Sequence, residues 1–172
     1  MEEDVRETVT TLGSVIMSLA LNEKDRNLNV AKITESIRSE KALMKFRQMV
    51  NAQGGDGSYI NNPDKFEEAK YVLPVYATKD GFISEIDTDI VGSISKFLNV
   101  VRDDKTGEID NAAGIIFEKK VGSEVKVGDI LAKVYSNNED RALRGSKNLV
   151  DAFRISDFPI RKVSRILDVY GM

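Results

Sequence analysis

The carboxylates Asp87, Asp89, Asp103, Asp104, Glu108 and Asp110 crowd one stretch of this 172-residue chain. Acidic groups gathered in this way could act as a general acid and base or hold a hard cation through oxygen. Their spacing is not that of a calcium loop, whose ligands recur at alternate positions around a fixed glycine. Helix capping and solvated charge account for them more simply, with Asp110 a candidate for a structural hydrogen-bonding role. A second candidate is Gln53-Gly54-Gly55-Asp56-Gly57, because glycine-rich turns can aim backbone amides at a phosphate. It matches neither the P-loop nor the dinucleotide fingerprint and follows a helical pattern where those motifs follow a strand, so it reads as a helix-ending turn. Histidine and cysteine are both absent, which removes the commonest proton carrier and metal ligand, the thiolate nucleophile, disulfides and cysteine-based zinc sites. Chemistry would fall to carboxylates, Lys, Arg, Tyr and hydroxyls; no catalytic, cofactor-binding or metal-binding residue is assigned.

The basic residues Lys119, Lys120, Arg141, Arg144 and Lys147 could mark a nucleic-acid face. Interleaved aromatics are missing and Glu118, Glu139 and Asp140 offset the charge, so a solvated face is the simpler reading. With 25 basic against 28 acidic residues the net charge is −3, too small to draw the chain onto a polyanion. The opening Met1-Glu2-Glu3-Asp4 is acidic, the wrong charge for a secretory signal, and no apolar run approaches the roughly 20 residues of a membrane span. We expect a soluble, cytoplasmic protein with neither membrane nor nucleic acid as partner. An apolar share of 41% and a charged share of 31% suit a folded domain with its own core.

The elements that must position these groups follow from periodicity. Val9, Leu12, Ile16, Leu19 and Ala20 recur at helical steps after the acidic start, predicting an amphipathic helix from Val5. A second helix is predicted from Asn29 with Val30, Ile33 and Ile37 on one face. A third runs from Glu40 to Ala52, capped by Ser39, with Leu43, Phe46, Met49 and Val50 inward. Asn62-Pro63 opens a short helical turn through Phe66 and Ala69. From there the composition turns β-rich. Tyr71 to Thr78 and Phe82 to Ile86 flank Lys79-Asp80-Gly81, which predicts a β-hairpin. A helix capped by Asp87 or Thr88 carries Ile90, Val91, Ile94, Phe97, Leu98 and Val101, and a charged loop from Arg102 to Glu108 follows it. Ala113 to Glu118 and Ile130 to Tyr135 read as strands joined through the turns of Gly122 and Gly128. A last helix, Glu139 to Phe153, precedes a strand candidate from Val163 to Tyr170.

Several segments carry a resemblance. Phe46-Arg47-Gln48-Met49-Val50-Asn51-Ala52-Gln53-Gly54-Gly55-Asp56 resembles the helix-end signature of thymidine and pyrimidine-nucleoside phosphorylases. Thr11-Leu12-Gly13, Asp80-Gly81-Phe82-Ile83-Ser84-Glu85-Ile86, Glu108-Ile109-Asp110, Ala113-Gly114-Ile115-Ile116, Lys119-Lys120-Val121-Gly122, Gly128-Asp129-Ile130-Leu131-Ala132, Tyr135-Ser136-Asn137 and Arg154-Ile155-Ser156 then occur in that family's order and at similar spacing. The match is to the family's C-terminal portion and departs from it at Leu98-Asn99-Val100-Val101-Arg102. There the family shows Leu-Gly-Ala-Gly-Arg, so Asn99 and Val101 stand where it has glycines.

The resemblance implies an α+β fold: a helical segment over 1–62, the tail of the family's catalytic portion, and an α/β-hammerhead, barrel-sandwich-like domain over 63–172. It implies that the phosphate loop, the base-holding residues and the potassium site of the intact family precede this stretch, so phosphate and potassium belong to the intact enzyme and no cofactor is assigned here. The partner it implies is the family's N-terminal catalytic portion, with self-association through an exposed helical face as the other outcome. On this reading the chain is the C-terminal part of a pyrimidine-nucleoside phosphorylase, inactive alone. The rival is a stand-alone hammerhead binding module. A third, carrier-type reading comes from Gly122-x-x-Val125-x-x-Gly128-Asp129-x-Leu131, which resembles the half-barrel repeat of biotinyl and lipoyl domains. Their modified lysine would fall near Asn138, which cannot be acylated, so the likeness speaks for strand geometry alone.

Overall fold

Glu3 and Asp4 occupy the first turn of α1, Glu3–Leu21, where their charge opposes the helix dipole. The computed structural model that shows this describes residues 2–21, 25–100, 109–160 and 166. The chain divides into two units, one running to Lys65 and the other starting at Phe66. The predicted strand at 163–170 and the charged loop from Arg102 to Glu108 lie outside the described residues.

In the first unit α1 packs on α2, Arg26–Arg38, through small and polar groups. A Cβ added to Gly13 would stand 2.8 Å from Ile33 Cδ1, so the tip of the Ile33 side chain packs on the bare backbone of Gly13. Ser14 and Asn29 are fully buried in the unit, and Asn29 Nδ2 donates to Ser18 Oγ at 3.1 Å. The helix α2 begins earlier than its apolar period suggests because Asp25 caps it, its carboxylate accepting from the Leu28 amide at 3.1 Å.

Ser39 does not cap α3, Lys41–Ala52, as its type suggests. Its amide and hydroxyl both donate to the Glu35 carbonyl, at 2.9 and 2.6 Å, and so finish α2 instead. The open carbonyls at the end of α2 were the nearer acceptors, and Glu40 takes the N-cap position of α3 in the left-handed region, at φ 58°, without a side-chain cap. Leu43, Phe46 and Met49, expected inward, are 44%, 46% and 48% exposed. A helical unit of this kind buries its seams and leaves other apolar faces uncovered. A short α4, Ser58–Asn61, and a 3₁₀ turn, Pro63–Lys65, close the unit; the turn stops before Phe66.

The second unit holds two antiparallel three-stranded sheets. One orders β1 (Tyr71–Tyr76), β5 (Ile130–Ser136) and β3 (Gly114–Phe117) as β1-β5-β3. The other orders β4 (Glu124–Val125), β2 (Gly81–Ile86) and β6 (Phe153–Ser156) as β4-β2-β6. The predicted hairpin between Tyr71 to Thr78 and Phe82 to Ile86 therefore does not form. Both segments are strands, but β1 spends its ladder on β5, from Tyr71 opposite Ser136 to Tyr76 opposite Ile130, with a register shift at Val75/Tyr76. Past that shift Ala77 exchanges bonds with the 128–129 turn, its amide donating to the Asp129 carbonyl at 2.8 Å and its carbonyl accepting from Gly128 at 3.0 Å. The chain is thereby steered into the other sheet.

Between the sheets Val75, Leu131 and Val134 meet Ile83, Val125 and Phe153 in one buried cluster. The rings of Phe117 and Phe153 stand 5.9 Å apart across it. Ile94 and Leu98, from α5 (Thr88–Phe97) and its C-cap, and Leu149 of α6 (Glu139–Leu149) cover one side of the cluster. The helix α6 is shorter than its sequence pattern, because Val150–Ala152 tightens to a 3₁₀ turn and Phe153 leaves as the first residue of β6. Burying that ring in the cluster outweighs one more helical turn. The chain is thus α+β in class.

Candidate functional site

The glycine-rich turn ends α3 and offers no cradle. Gly54 lies at φ 82° and its amide donates to Asn51 O at 3.1 Å, while the Gly55 amide reaches Val50 O at 2.9 Å. These are the two bonds by which a left-handed residue closes a helix C-terminus. Two further amides are taken as well: Gly57 N donates to Asn51 Oδ1 at 2.9 Å and Ser58 N to Asp56 Oδ1 at 2.8 Å. Bonds from Ser58, its amide first and its hydroxyl next, hold the Asp56 carboxyl below its ordinary value. With the Gly54, Gly55 and Gly57 amides aimed at protein oxygens and a carboxylate at its tip, the turn does not fit a phosphate.

Among the described residues the carboxylates do not converge either. Asp87 is the N-cap of α5, accepting from the Asp89 and Ile90 amides at 3.0 and 3.1 Å, and Asp89 stands in that helix's first turn. Asp110 gathers a cluster of its own. It accepts from the Ala112 amide at 3.1 Å, the Asn137 amide at 2.8 Å, Asn137 Nδ2 at 3.0 Å and the Ser136 hydroxyl at 3.4 Å. All of those donors are within the fold, and they tie the approach to β3 to the end of β5. Asp103, Asp104 and Glu108 lie outside the described residues. Among the described residues no group of three His, Cys, Asp or Glu side chains comes together as a metal site.

Of the basic candidates, Arg141, Arg144 and Lys147 lie on α6, and Lys119 and Lys120 follow β3. Lys119 faces Asp129 at 3.9 Å, and Arg144 faces Asp140 at 3.4 Å while lying over the Phe97 ring at 5.1 Å. Lys133, which sequence reasoning passed over, bonds Glu118 at 2.8 Å, and that bond raises its ammonium above the ordinary lysine value. Asn138 is the N-cap of α6, accepting from the Arg141 amide at 3.0 Å. A helix start is not the hairpin tip on which a carrier lysine is presented, so this geometry does not fit a lipoyl or biotinyl arm. Among the described residues the polar groups of the candidate sites serve caps, turns and strand ends. No helix of the described residues is long and apolar enough to cross a membrane.

Residues 82–156 match the model of the pyrimidine nucleoside phosphorylase C-terminal domain. Residues 82–156 thus carry that family's C-terminal domain. The chain is 36% identical over 168 residues to a pyrimidine-nucleoside phosphorylase of Geobacillus stearothermophilus, an alignment covering 96% of this chain and 38% of the relative. A Bacillus subtilis pyrimidine-nucleoside phosphorylase is 39% identical over 138 residues, 80% of this chain and 32% of the relative. One from Staphylococcus aureus is 35% identical over the same length and the same shares. The chain thus spans about a third of the length of the curated relatives it matches. The first alignment takes in nearly the whole chain, so the helical unit has counterparts in this family as well as the sheets.

Proposed function

We propose that this chain is the C-terminal part of a pyrimidine-nucleoside phosphorylase and contributes scaffold, not reacting groups, to phosphorolysis. The observation that carries this reading is the alignment over 96% of the chain but only 38% of the relative. The uses of the polar side chains point the same way: Asp87, Asp110, Asn138 and the Gln53–Gly57 turn are committed to caps and strand ends.

In the proposed reaction the base–sugar C–N bond breaks, a phosphate oxygen bonds the anomeric carbon, and the base leaves with the electron pair. The need is for charge stabilisation around an oxocarbenium-like centre, which falls to groups outside this chain. Cytoplasmic residence and a hammerhead arrangement of the two sheets belong to the same reading. The Asp80 carboxylate, just before β2, accepts from the Val127 amide, between β4 and β5, at 2.7 Å, and so ties together two of the connections that run from one sheet to the other, which suits a barrel-sandwich.

The test is phosphate-dependent release of uracil or thymine. We expect none from the purified chain, and release when the N-terminal portion of a relative is supplied. Turnover by the chain alone would overturn the proposal. A chain that yields no turnover with that portion would favour the binding-module reading.

A further inference from the structure

The helix α1 is amphipathic in the reverse sense. Toward α2 it turns Gly13, Ser14 and Ser18, and toward solvent it turns Val5, Val9, Leu12, Ile16 and Leu19, which are 48%, 41%, 55%, 63% and 77% exposed. Those outward residues step by four and three, the spacing of a seam that packs along a partner element. From Thr8 to Leu21 the helix has no charged residue. An open hollow lined by Asp4, Val5, Thr8 and Val9 lies at the N-terminal end of this stripe. A contiguous apolar stripe of this kind marks a covered surface.

Several covers are distinguishable. Lipid is disfavoured: Glu2, Glu3, Asp4 and Glu7 place negative charge at one end of the stripe, which an anionic headgroup layer repels. A second copy would cover it only by leaving the longer relatives' matching helix unexplained, since the alignment runs through the helical unit into chains of which it covers 38%. We infer that the Val5–Leu19 stripe of α1 is the docking surface for the N-terminal portion of a pyrimidine-nucleoside phosphorylase polypeptide. The inference rests on the reading of the chain as the C-terminal part of such an enzyme. It adds which surface joins the two parts.

The chain has no cysteine, so Ile16→Cys supplies a single thiol at a position 63% exposed. The variant is co-expressed with the unmatched N-terminal portion of the Geobacillus stearothermophilus relative, and maleimide labelling of the introduced thiol is followed by mass spectrometry beside the mass of the complex. The expected result is a one-to-one complex in which labelling slows by about tenfold or more, and which Leu12→Lys weakens by at least about tenfold. Circular dichroism of Leu12→Lys alone should match the parent chain, since that side chain is already exposed. A complex in which the thiol labels as fast as in the free chain would overturn the assigned surface while leaving the proposed function standing. A particle with the mass of two copies and a protected thiol, with no N-terminal portion bound, would overturn it in favour of self-association.

Discussion

The carbonyl of Asn99 accepts a hydrogen bond from the amide of Asp110 at 3.0 Å, and Asn99 makes that bond from the left-handed region, at φ 64°. The bond closes the chain between the end of α5 and the approach to β3. It also bears on the asparagine that stands where the resemblance puts a glycine. A position that must turn left-handed suits glycine best, and asparagine is the residue next most at ease there. Val101, the other replacement, lies outside the described residues. Asn99→Gly should leave stability within about 0.5 kcal/mol, and Asn99→Val should cost about 1–2 kcal/mol, because a β-branched side chain opposes φ above zero. Urea unfolding of both variants checks this, and equal midpoints would contradict it.

Asp110 itself carries a heavier load. Asp110→Ala would strand the Asn137 amide and side chain and the buried Ser136 hydroxyl. Lost charge-assisted bonds and unmet donors together predict about 2–4 kcal/mol of destabilisation. Asp110→Asn keeps one of the two acceptor oxygens and puts an N–H donor in place of the other, so it should also destabilise, by somewhat less than alanine does. Thermal unfolding of the pair decides between this role and a solvated charge, for which neither change would matter.

Two charged groups set opposite pH edges. The folded Asp56 carboxyl lies below its ordinary value of 3.8, so the stability it confers is present above that value and is lost as pH falls through the lowered one. The folded Lys133 ammonium lies above its ordinary value of 10.5, so its contribution is present below that value and is lost as pH rises through the raised one. NMR titration should find the Asp56 midpoint shifted down from that of an unstructured peptide, and Ser58→Pro, which removes the donating amide, should move it back.

Sequence was most informative where a local rule met no competitor. Asp87 at the head of α5, the turn after Ala52 and the strands around Ile115 and Val134 follow from capping, glycine and alternation. It failed where the outcome depends on a distant partner. Nothing local tells β1 to take β5 in place of β2, because the Lys79-Asp80-Gly81 turn serves a hairpin or a crossing equally well. Ser39 lost its predicted role to a carbonyl of the preceding helix. Leu12, Ile16, Leu43 and Phe46 have core-type side chains and helical spacing, yet are exposed; periodicity identifies an apolar face but not whether the same chain covers it. Among the candidate sites, the Asp110 cluster needed Asn137, a residue whose contribution depends on where β5 ends.

Gly145 tests how closely α6 is fitted to the sheet. A Cβ there would stand 3.1 Å from Leu98 Cδ2 and 3.3 Å from Val134 Cγ1, closer than atoms in a relaxed core prefer. Replacing a helical glycine by alanine gains about 1 kcal/mol of helix propensity, and crowding a full core costs about 1–3 kcal/mol. The two effects nearly offset for Gly145→Ala, which should be neutral to about 2 kcal/mol destabilising, whereas Gly145→Val adds further carbons without further helical gain and should lose more than alanine does. If Leu98 is the group in the way, Leu98→Ala should cost less beside Gly145→Val than alone, by about 1 kcal/mol in a double-mutant cycle. Additive losses would mean that α6 makes room by shifting as a body, and the close fit among Gly145, Leu98 and Val134 would then not be what positions it.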